Sequence, residues 1–135
     1  IVIVCGTVAV FPQPFFYLKP YIWWHIKKNR KMNEITVTEL KQWLDEGKDF
    51  QLIDVREPFE YEMSNINGEN IPLAGVTIEA DKISRDKPVI MQCRSGARSA
   101  SALQQLEKLG YNNVYNLKGG ILAWAAQIDP ELRVY

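Results

Sequence analysis

One stretch in the second half of the chain constrains the fold more than any other: the apolar run Val89–Gln92, which leads into Cys93 and a polar loop. The run is short, partly β-branched and preceded by Pro88, so it predicts a buried strand. Apolar residues then recur at helical spacing between Ser99 and Gly110; they are Ala100, Leu103, Leu106 and Leu109. Cys93 is therefore expected at the carboxyl end of a strand, one short loop before a helix.

A cysteine in this position is expected to be reactive. Ligands of open α/β sheets bind at the carboxyl ends of the strands, and a helix N-terminus offers N–H groups and a positive dipole end to an anion. Such surroundings lower the pKa of a thiol and favour the nucleophilic thiolate. Arg94 and Arg98 add positive charge, and either could hold an anionic substrate. The alternative is that Cys93 is a buried structural thiol.

The rest of the chain alternates between strand-like and helix-like segments. Thr36 and Glu39 form a predicted capping box that opens a helix, and Glu57-Pro58 opens another. The other expected elements are an edge strand at Ile35, strands at Phe50–Val55, Asn70–Leu73 and Val114–Leu117, an inner helix face of Leu40, Trp43 and Leu44 before Gly47, a helix at Thr77–Ile83 and a helix after Gly119-Gly120. This alternation predicts an α/β layer fold with a parallel sheet and right-handed crossovers.

Composition and charge exclude several classes of function. The chain has 135 residues, of which 47% are hydrophobic, so one globular domain is expected. Residues 1–31 carry five basic residues and no acidic one, which leaves 11 basic and all 16 acidic residues in 32–135. A domain with this acidic excess is not expected to bind nucleic acid. The single histidine, His25, leaves no Cys/His cluster for zinc, so no metal site is expected.

The N-terminal extension, residues 1–31, differs from the domain expected at 32–135. Its apolar run, Ile1–Phe11, is shorter than the ~20 residues that span a bilayer, and prolines and a basic segment follow it. We favour an arm that packs on the domain or forms a homodimer contact, or a non-native leader before Met32, over a membrane contact. Two cysteines, Cys5 and Cys93, make no disulfide framework, so a reducing, cytoplasmic setting is expected.

Three blocks of residues occur in order: Asp54–Tyr61 (DVREPFEY), Cys93–Ser99 (CRSGARS) and Gly119–Trp124 (GGILAW). Over about Glu34–Trp124 the chain resembles a single-domain rhodanese-like sulfurtransferase. The resemblance implies a three-layer α/β fold in which helices flank a five-stranded parallel sheet. The segments Ser64–Ile66, where many members have Gly-His-Ile, and Ile128–Pro130 make it similar to the rhodanese domains fused to adenylating enzymes of sulfur-carrier proteins.

The resemblance implies sulfur transfer with Cys93 as the catalytic residue. Its thiolate would take sulfur from a small anionic donor such as thiosulfate and hold it as a covalent persulfide, with no cofactor. A thiol or a sulfur-carrier protein would then accept the sulfur. The expected substrate-binding residues are Arg94, Ser95, Gly96, Ala97, Arg98 and Ser99, with the serine hydroxyls donating to the sulfur or capping the helix. Asp54 is expected to support the loop, with Arg98 as its candidate partner.

Two other functions stay open. A phosphatase or arsenate reductase of the same fold is the first, but six residues run from Cys93 through Arg98, whereas a phosphatase-like member has one more residue to surround a tetrahedral anion. The shorter loop suits a single outer sulfur. A non-catalytic docking module is the second, and the intact cysteine loop argues against it.

Overall fold

A parallel sheet organises the part of the chain that the computed structural model describes, residues 31–134. Its strands are β1 (Glu34–Ile35), β2 (Gln51–Asp54), β3 (Glu69–Asn70), β4 (Val89–Gln92) and β5 (Val114–Leu117), in the spatial order β1-β5-β4-β2-β3. Every neighbouring pair is parallel. The predicted α/β fold with a five-stranded parallel sheet is therefore confirmed. The interpretations of the N-terminal extension concern residues that, apart from Lys31, lie outside the described range.

Helices cover both faces of this sheet. They are α1 (Val37–Asp45), α2 (Pro58–Met63), α3 (Ala97–Lys108) and α4 (Gly120–Gln127). Residues of α3 pack with one buried cluster, whereas residues of α1 and α4 pack with a second cluster on the other face. Among residues 31–134, no helix combines the length and hydrophobicity needed to cross a bilayer.

The central strand β4 is buried along its whole length, as its run of apolar residues predicted. All four of its residues are buried, as expected for a parallel strand covered on both faces. Val89 and Met91 contact the cluster on the α3 side, and Ile90 contacts the cluster on the α1 and α4 side. Cys93, the residue after the strand, continues this alternation and is buried with the cluster on the α3 side.

The sequence predicted where the first helix begins more accurately than it predicted which residues of that helix are buried. The capping box is present, because Glu39 N–H donates to Thr36 Oγ1 at 3.2 Å and Thr36 N–H donates to Glu39 Oε2 at 2.8 Å. In α1, however, Leu44 is 45% exposed, and the residues buried are Val37 and Leu40. The expectation for Leu44 was wrong because it lies in the last turn, beside an open cleft.

The inner face of α3 also differs from the prediction. This helix begins at Ala97, two residues before Ser99, and buries Ser99, Ala102, Leu103 and Leu106. Leu109 is 46% exposed because it follows the last helical residue. The spacing of apolar residues did not indicate that Ser99 is on the inner face, because Ser99 is polar.

Two predicted elements between β2 and β4 were wrong in extent or type. Strand β3 ends at Asn70 rather than Leu73, since Pro72 has no N–H to donate. Ile71 and Leu73 nevertheless donate to the carbonyls of Asp54 and Val55 at 2.9 and 3.0 Å. The α-helix expected at Thr77–Ile83 is absent. Two short 3-10 helices, Leu73–Gly75 and Ala80–Lys82, lie in this region instead. β-branched residues lower the propensity for an α-helix, and 3-10 helices are typically this short.

Candidate active site

Cys93 lies where the sequence predicted, directly after β4 and one short loop before α3. Its side chain is buried, with 1% of its surface exposed. Its sulfur accepts a hydrogen bond of 3.0 Å from the Gly96 N–H. Gly96 precedes α3 with φ of +106°, a conformation that favours glycine, so the loop turns this N–H inward toward the sulfur.

Two serines flank this turn, and they differ in what they contribute. The Ser99 hydroxyl lies 3.3 Å from the Cys93 sulfur, in agreement with one of the predicted roles. The residue at the cap of α3 is Gly96 and not a serine, so the expectation of a serine cap was wrong. Ser95 is exposed, and its backbone N–H is the group that acts on the thiol.

The pKa of the Cys93 thiol reflects two opposing influences. Burial is the largest single one, and it raises the pKa by disfavouring the charged form. The Ser99 hydroxyl and the backbone N–H groups of Ser99, Gly96 and Ser95 oppose it through hydrogen bonds. Together they hold the pKa of Cys93 below its ordinary value, which favours the thiolate.

The N-terminus of α4 holds the outer side of the cysteine loop. Ile121 N–H donates to the Cys93 carbonyl at 2.9 Å, and Leu122 N–H donates to the Arg94 carbonyl at 3.1 Å. The Gln92 side chain donates to the same Cys93 carbonyl at 2.7 Å. The loop carbonyls therefore face α4, and this arrangement leaves the loop N–H groups free to face the sulfur.

Gly120 makes this approach of two backbones feasible. It has φ of +58°, and a Cβ at this position would lie 2.4 Å from the Cys93 carbonyl oxygen and 2.5 Å from that of Arg94. Neither atom belongs to a flexible side chain that could move away. The Gly119-Gly120 block of the sequence thus has a steric explanation at the site.

Arg98 is positioned by Glu60. Its two guanidinium nitrogens contact the Glu60 carboxylate at 2.6 and 3.0 Å, a bidentate pair between the first turn of α3 and the buried face of α2. The same carboxylate accepts the Glu57 N–H at 2.8 Å. Arg98 is partly exposed, and Ala97 beside it is exposed, so both lie at the edge of the site.

Asp54 pairs with a different residue from the one expected. Its carboxylate pairs with Arg56, with Nη2 to Oδ2 at 2.7 Å and Nε to Oδ1 at 3.0 Å, and both side chains are fully buried. The pairing of Asp54 with Arg98 was wrong because Arg56 lies only two residues away and folds back onto it. Arg56 also donates to the Ser64 carbonyl at 2.7 Å, which ties β2 to the end of α2.

Arg94 is the loop cation beside the cysteine, and its side chain is partly exposed. Sequence reasoning missed two polar residues beside the cysteine loop, Gln92 and Asn116. Both are buried in strands next to the loop, and Asn116 accepts a hydrogen bond of 2.6 Å from Ser99. The signal that could have found them is a polar residue within an otherwise apolar central strand.

Comparison with known proteins now identifies the fold family. A model described as "Rhodanese-like domain" matches residues 36–127. The chain belongs to the rhodanese-like family. Its cysteine loop, the Gly119-Gly120 block and the buried Asp54 all lie within the matched range.

Several relatives share this rhodanese-like domain. A protein named "Sulfurtransferase" from Allochromatium vinosum is 40% identical over 95 residues, covering 70% of this chain and 89% of that protein. The probable adenylyltransferase/sulfurtransferase MoeZ of Mycobacterium tuberculosis is 36% identical over 108 residues; these are 78% of this chain but only 28% of MoeZ. The crystal structure of a rhodanese-like domain protein from Staphylococcus aureus has a TM-score of 0.66 and 31% identity, and it covers 77% of this chain and 99% of that one.

We expect Gly120→Ala to disrupt the cysteine loop. The added methyl group would meet two backbone carbonyls, so the free energy of unfolding should fall by more than about 2 kcal/mol. Gly47→Ala is the matched control, because Gly47 also has positive φ but no atom within 4 Å of an added Cβ. It should cost only about 1 kcal/mol, the strain of the left-handed conformation. Urea unfolding measures both, and equal losses would contradict the steric explanation.

The thiolate of Cys93 should form below the usual thiol pKa of about 8.5. Because its pKa is lowered in the folded protein, the thiolate persists to lower pH than in an unperturbed thiol, and it is lost as pH falls through this lowered pKa. The measurement is the ultraviolet absorbance of the thiolate during a pH titration, taken as the difference from Cys93→Ser. Cys5→Ser serves as the control and should leave the midpoint unchanged. A midpoint at or above the usual value would show that burial prevails over the hydrogen bonds.

Proposed function

We propose that this protein is a sulfurtransferase that forms a persulfide on Cys93. One observation carries the proposal: a buried thiol of lowered pKa begins a six-residue loop and faces the Gly96 N–H of that loop and the Ser99 hydroxyl just after it. Such a set of donors stabilises a sulfur anion in the way that an oxyanion hole stabilises oxygen. Membership in a family with named sulfurtransferases supports the same chemistry.

The reaction proceeds in two half-reactions. Cys93 thiolate attacks the outer sulfur of an anionic donor of the thiosulfate type, the sulfur–sulfur bond of the donor breaks, and its electron pair leaves with sulfite. The negative charge then resides on the outer sulfur of the Cys93 persulfide, next to the loop N–H groups. In the second half, a nucleophile attacks that sulfur and Cys93 thiolate is the leaving group. The covalent persulfide carries the sulfur, and no other cofactor takes part.

Each loop residue has a role in this scheme. Arg94 attracts the anionic donor, since it is the partly exposed cation next to Cys93. Arg98 orders the first turn of α3 through its bidentate contact with Glu60. The backbone N–H groups of Ser95, Gly96 and Ser99 supply the donors, and Ala97 lies exposed between Gly96 and Arg98. Asp54 acts through Arg56 as support for the neighbouring loop.

The acceptor is a small thiol, which attacks the outer sulfur, or a sulfur-carrier protein. In the second case the persulfide sulfur attacks a carboxyl terminus activated with a leaving group such as adenylate, that group departs, and a thiol then cleaves the sulfur–sulfur bond to release the thiocarboxylate. The resemblance to MoeZ, an adenylyltransferase/sulfurtransferase of which the chain spans 28%, supports the second choice. A buried sulfur requires an acceptor with a narrow reacting end, because Cys93 has only 1% of its surface exposed. An extended peptide terminus and a small thiol both meet that requirement.

Sulfur loading can be measured directly by intact mass. After incubation with thiosulfate the chain should gain the mass of one sulfur atom, and cyanide should remove it. Cys93→Ser, in which only the sulfur is changed, should show no gain. No gain with any donor, together with hydrolysis of an aryl phosphate, would favour a phosphatase or arsenate reductase. No gain and no hydrolysis would favour a docking module.

Arg94→Ala should weaken the apparent affinity for thiosulfate by about five- to tenfold, the loss of one partly screened charge contact. The reason is that Arg94 is the cation adjacent to the nucleophile, whereas the maximal rate depends on the sulfur and its donors. Arg133→Ala removes an exposed arginine far along the chain and is the control for net charge. Steady-state kinetics at low and high salt measure both. An unchanged affinity in Arg94→Ala would remove the residue from the assigned role.

A further inference from the structure

A buried chain of three side chains begins at the cysteine sulfur and ends in strand β5. Ser99 Oγ lies 3.3 Å from Cys93 Sγ and 2.6 Å from Asn116 Oδ1. Ser99 has none of its surface exposed and Asn116 only 5%. The Ser99 hydroxyl is therefore shared between the reacting atom and an amide from another strand.

The hydroxyl has a single proton, so it can donate to only one of these neighbours at a time. When Cys93 is a thiol, the geometry is fully satisfied if the S–H donates to Ser99 Oγ and the Ser99 O–H donates to Asn116 Oδ1. The short 2.6 Å contact fits this second bond. In this state the sulfur receives nothing from the hydroxyl.

When Cys93 is a thiolate, the same arrangement fails. The sulfur has no proton and accepts hydrogen bonds only, so the Ser99 O–H must turn toward it. Asn116 Oδ1 would then face a lone pair of Ser99 Oγ, and two buried acceptors in contact are unfavourable. Rotating the Asn116 amide by half a turn replaces its oxygen with the Nδ2 group, which donates to Ser99 Oγ.

The nitrogen end of the Asn116 amide lies against the cysteine loop: its Nδ2 is 3.8 Å from the place that a Cβ of Gly96 would occupy. The two ends of an amide are nearly equal in size, so exchange of oxygen and nitrogen changes the hydrogen bonds and not the packing. An asparagine is suited to this position because it offers both an acceptor and a donor.

We propose that Asn116 is a positioning residue for the sulfur chemistry: its amide oxygen accepts the Ser99 hydroxyl while Cys93 is a thiol, and its amide nitrogen donates to Ser99 while Cys93 is a thiolate. Asn116 thereby determines whether the Ser99 hydroxyl donates its hydrogen bond to the amide or to the sulfur. The consequence of this change for catalysis rests on the proposed function. In the second half-reaction the bond between Cys93 Sγ and the outer sulfur breaks, its electron pair stays on Sγ, and the turned Ser99 hydroxyl stabilises that leaving thiolate.

The first test uses Asn116→Asp, which keeps the size of the side chain and removes the donor. The carboxylate keeps accepting the Ser99 O–H, so the thiol–thiolate equilibrium of Cys93 should shift about tenfold toward the thiol in the ultraviolet titration. Discharge of a preformed persulfide to cyanide should slow in the same variant. Asn113→Asp is the matched control, because Asn113 precedes the opposite end of β5 and its amide donates to the Ser84 and Lys87 carbonyls. It should leave the thiol midpoint unchanged even if it lowers stability.

A double-mutant cycle separates positioning from simple charge. In a Ser99→Ala background the hydroxyl is absent, so Asn116→Asp should shift the titration much less than it does in the natural chain. The charged groups around the loop stay the same in every variant; they are Arg94, Arg98 with Glu60, and Arg56 with Asp54. Equal shifts in the two backgrounds would overturn the proposal, since they would indicate only a through-space effect of the new charge.

A second measurement is made first on the unaltered chain, so its main result does not depend on a variant that folds. The side-chain amide resonances of Asn116 should titrate with the midpoint of Cys93 in a nuclear magnetic resonance experiment, and Ser99→Ala should abolish that response. Amide resonances that stay constant through the thiol titration would overturn the proposal. No sulfur donor is present in these titrations, so a failure here and a failure of sulfur transfer are distinguishable.

Discussion

The contact between the N-terminus of α4 and the backbone of Cys93 and Arg94 is the constraint on which the site depends. Two N–H groups of α4 bond to the two loop carbonyls, and Gly120 allows the backbones to approach. A peptide unit whose carbonyl is held on one side presents its neighbouring N–H groups to the other. This arrangement converts a short strand-to-helix connection into a concave set of donors around one sulfur atom.

Burial and hydrogen bonding have opposite effects on that sulfur, and the balance between them determines its chemistry. A buried thiol without donors would be inert, because a low-dielectric surrounding disfavours the anion. Donors in the same dry environment act more strongly than they would in water. The outcome in this protein is a thiol of lowered pKa that is shielded from bulk solvent. Such a thiolate suits a reaction in which both the entering and the leaving groups are sulfur anions.

The two ion pairs of this region differ in burial and therefore in what they contribute to the structure. Asp54 and Arg56 are fully buried and bonded to each other and to backbone groups, which makes them a rigid part of the interior. Glu60 is buried, but Arg98 is partly exposed, so that pair connects α2 to the edge of the site. Removing one member of the fully buried Asp54–Arg56 pair leaves a charge without its ionic partner, which costs more than the pair itself contributes.

The sequence by itself determined the fold class, the position of Cys93 and the glycine block that faces it. The fold class and the position of Cys93 follow from local rules, namely strand and helix periodicity and capping, whereas the glycine block was singled out by the resemblance to a family. The same rules did not predict that Leu44 and Leu109 lie at exposed helix ends, because apolar spacing does not show where a helix passes the edge of the sheet.

Only the tertiary structure decided the partners of the charged and polar residues. Sequence proximity suggested no reason for Glu60 to meet Arg98, which follows it by 38 residues, or for Asn116 to meet Ser99. Parallel strands bring their carboxyl ends together irrespective of distance along the chain, and side-chain direction then selects the contacts. The reactive group is therefore evident in the sequence, whereas the hydrogen-bond network that tunes it exists only once the sheet has formed.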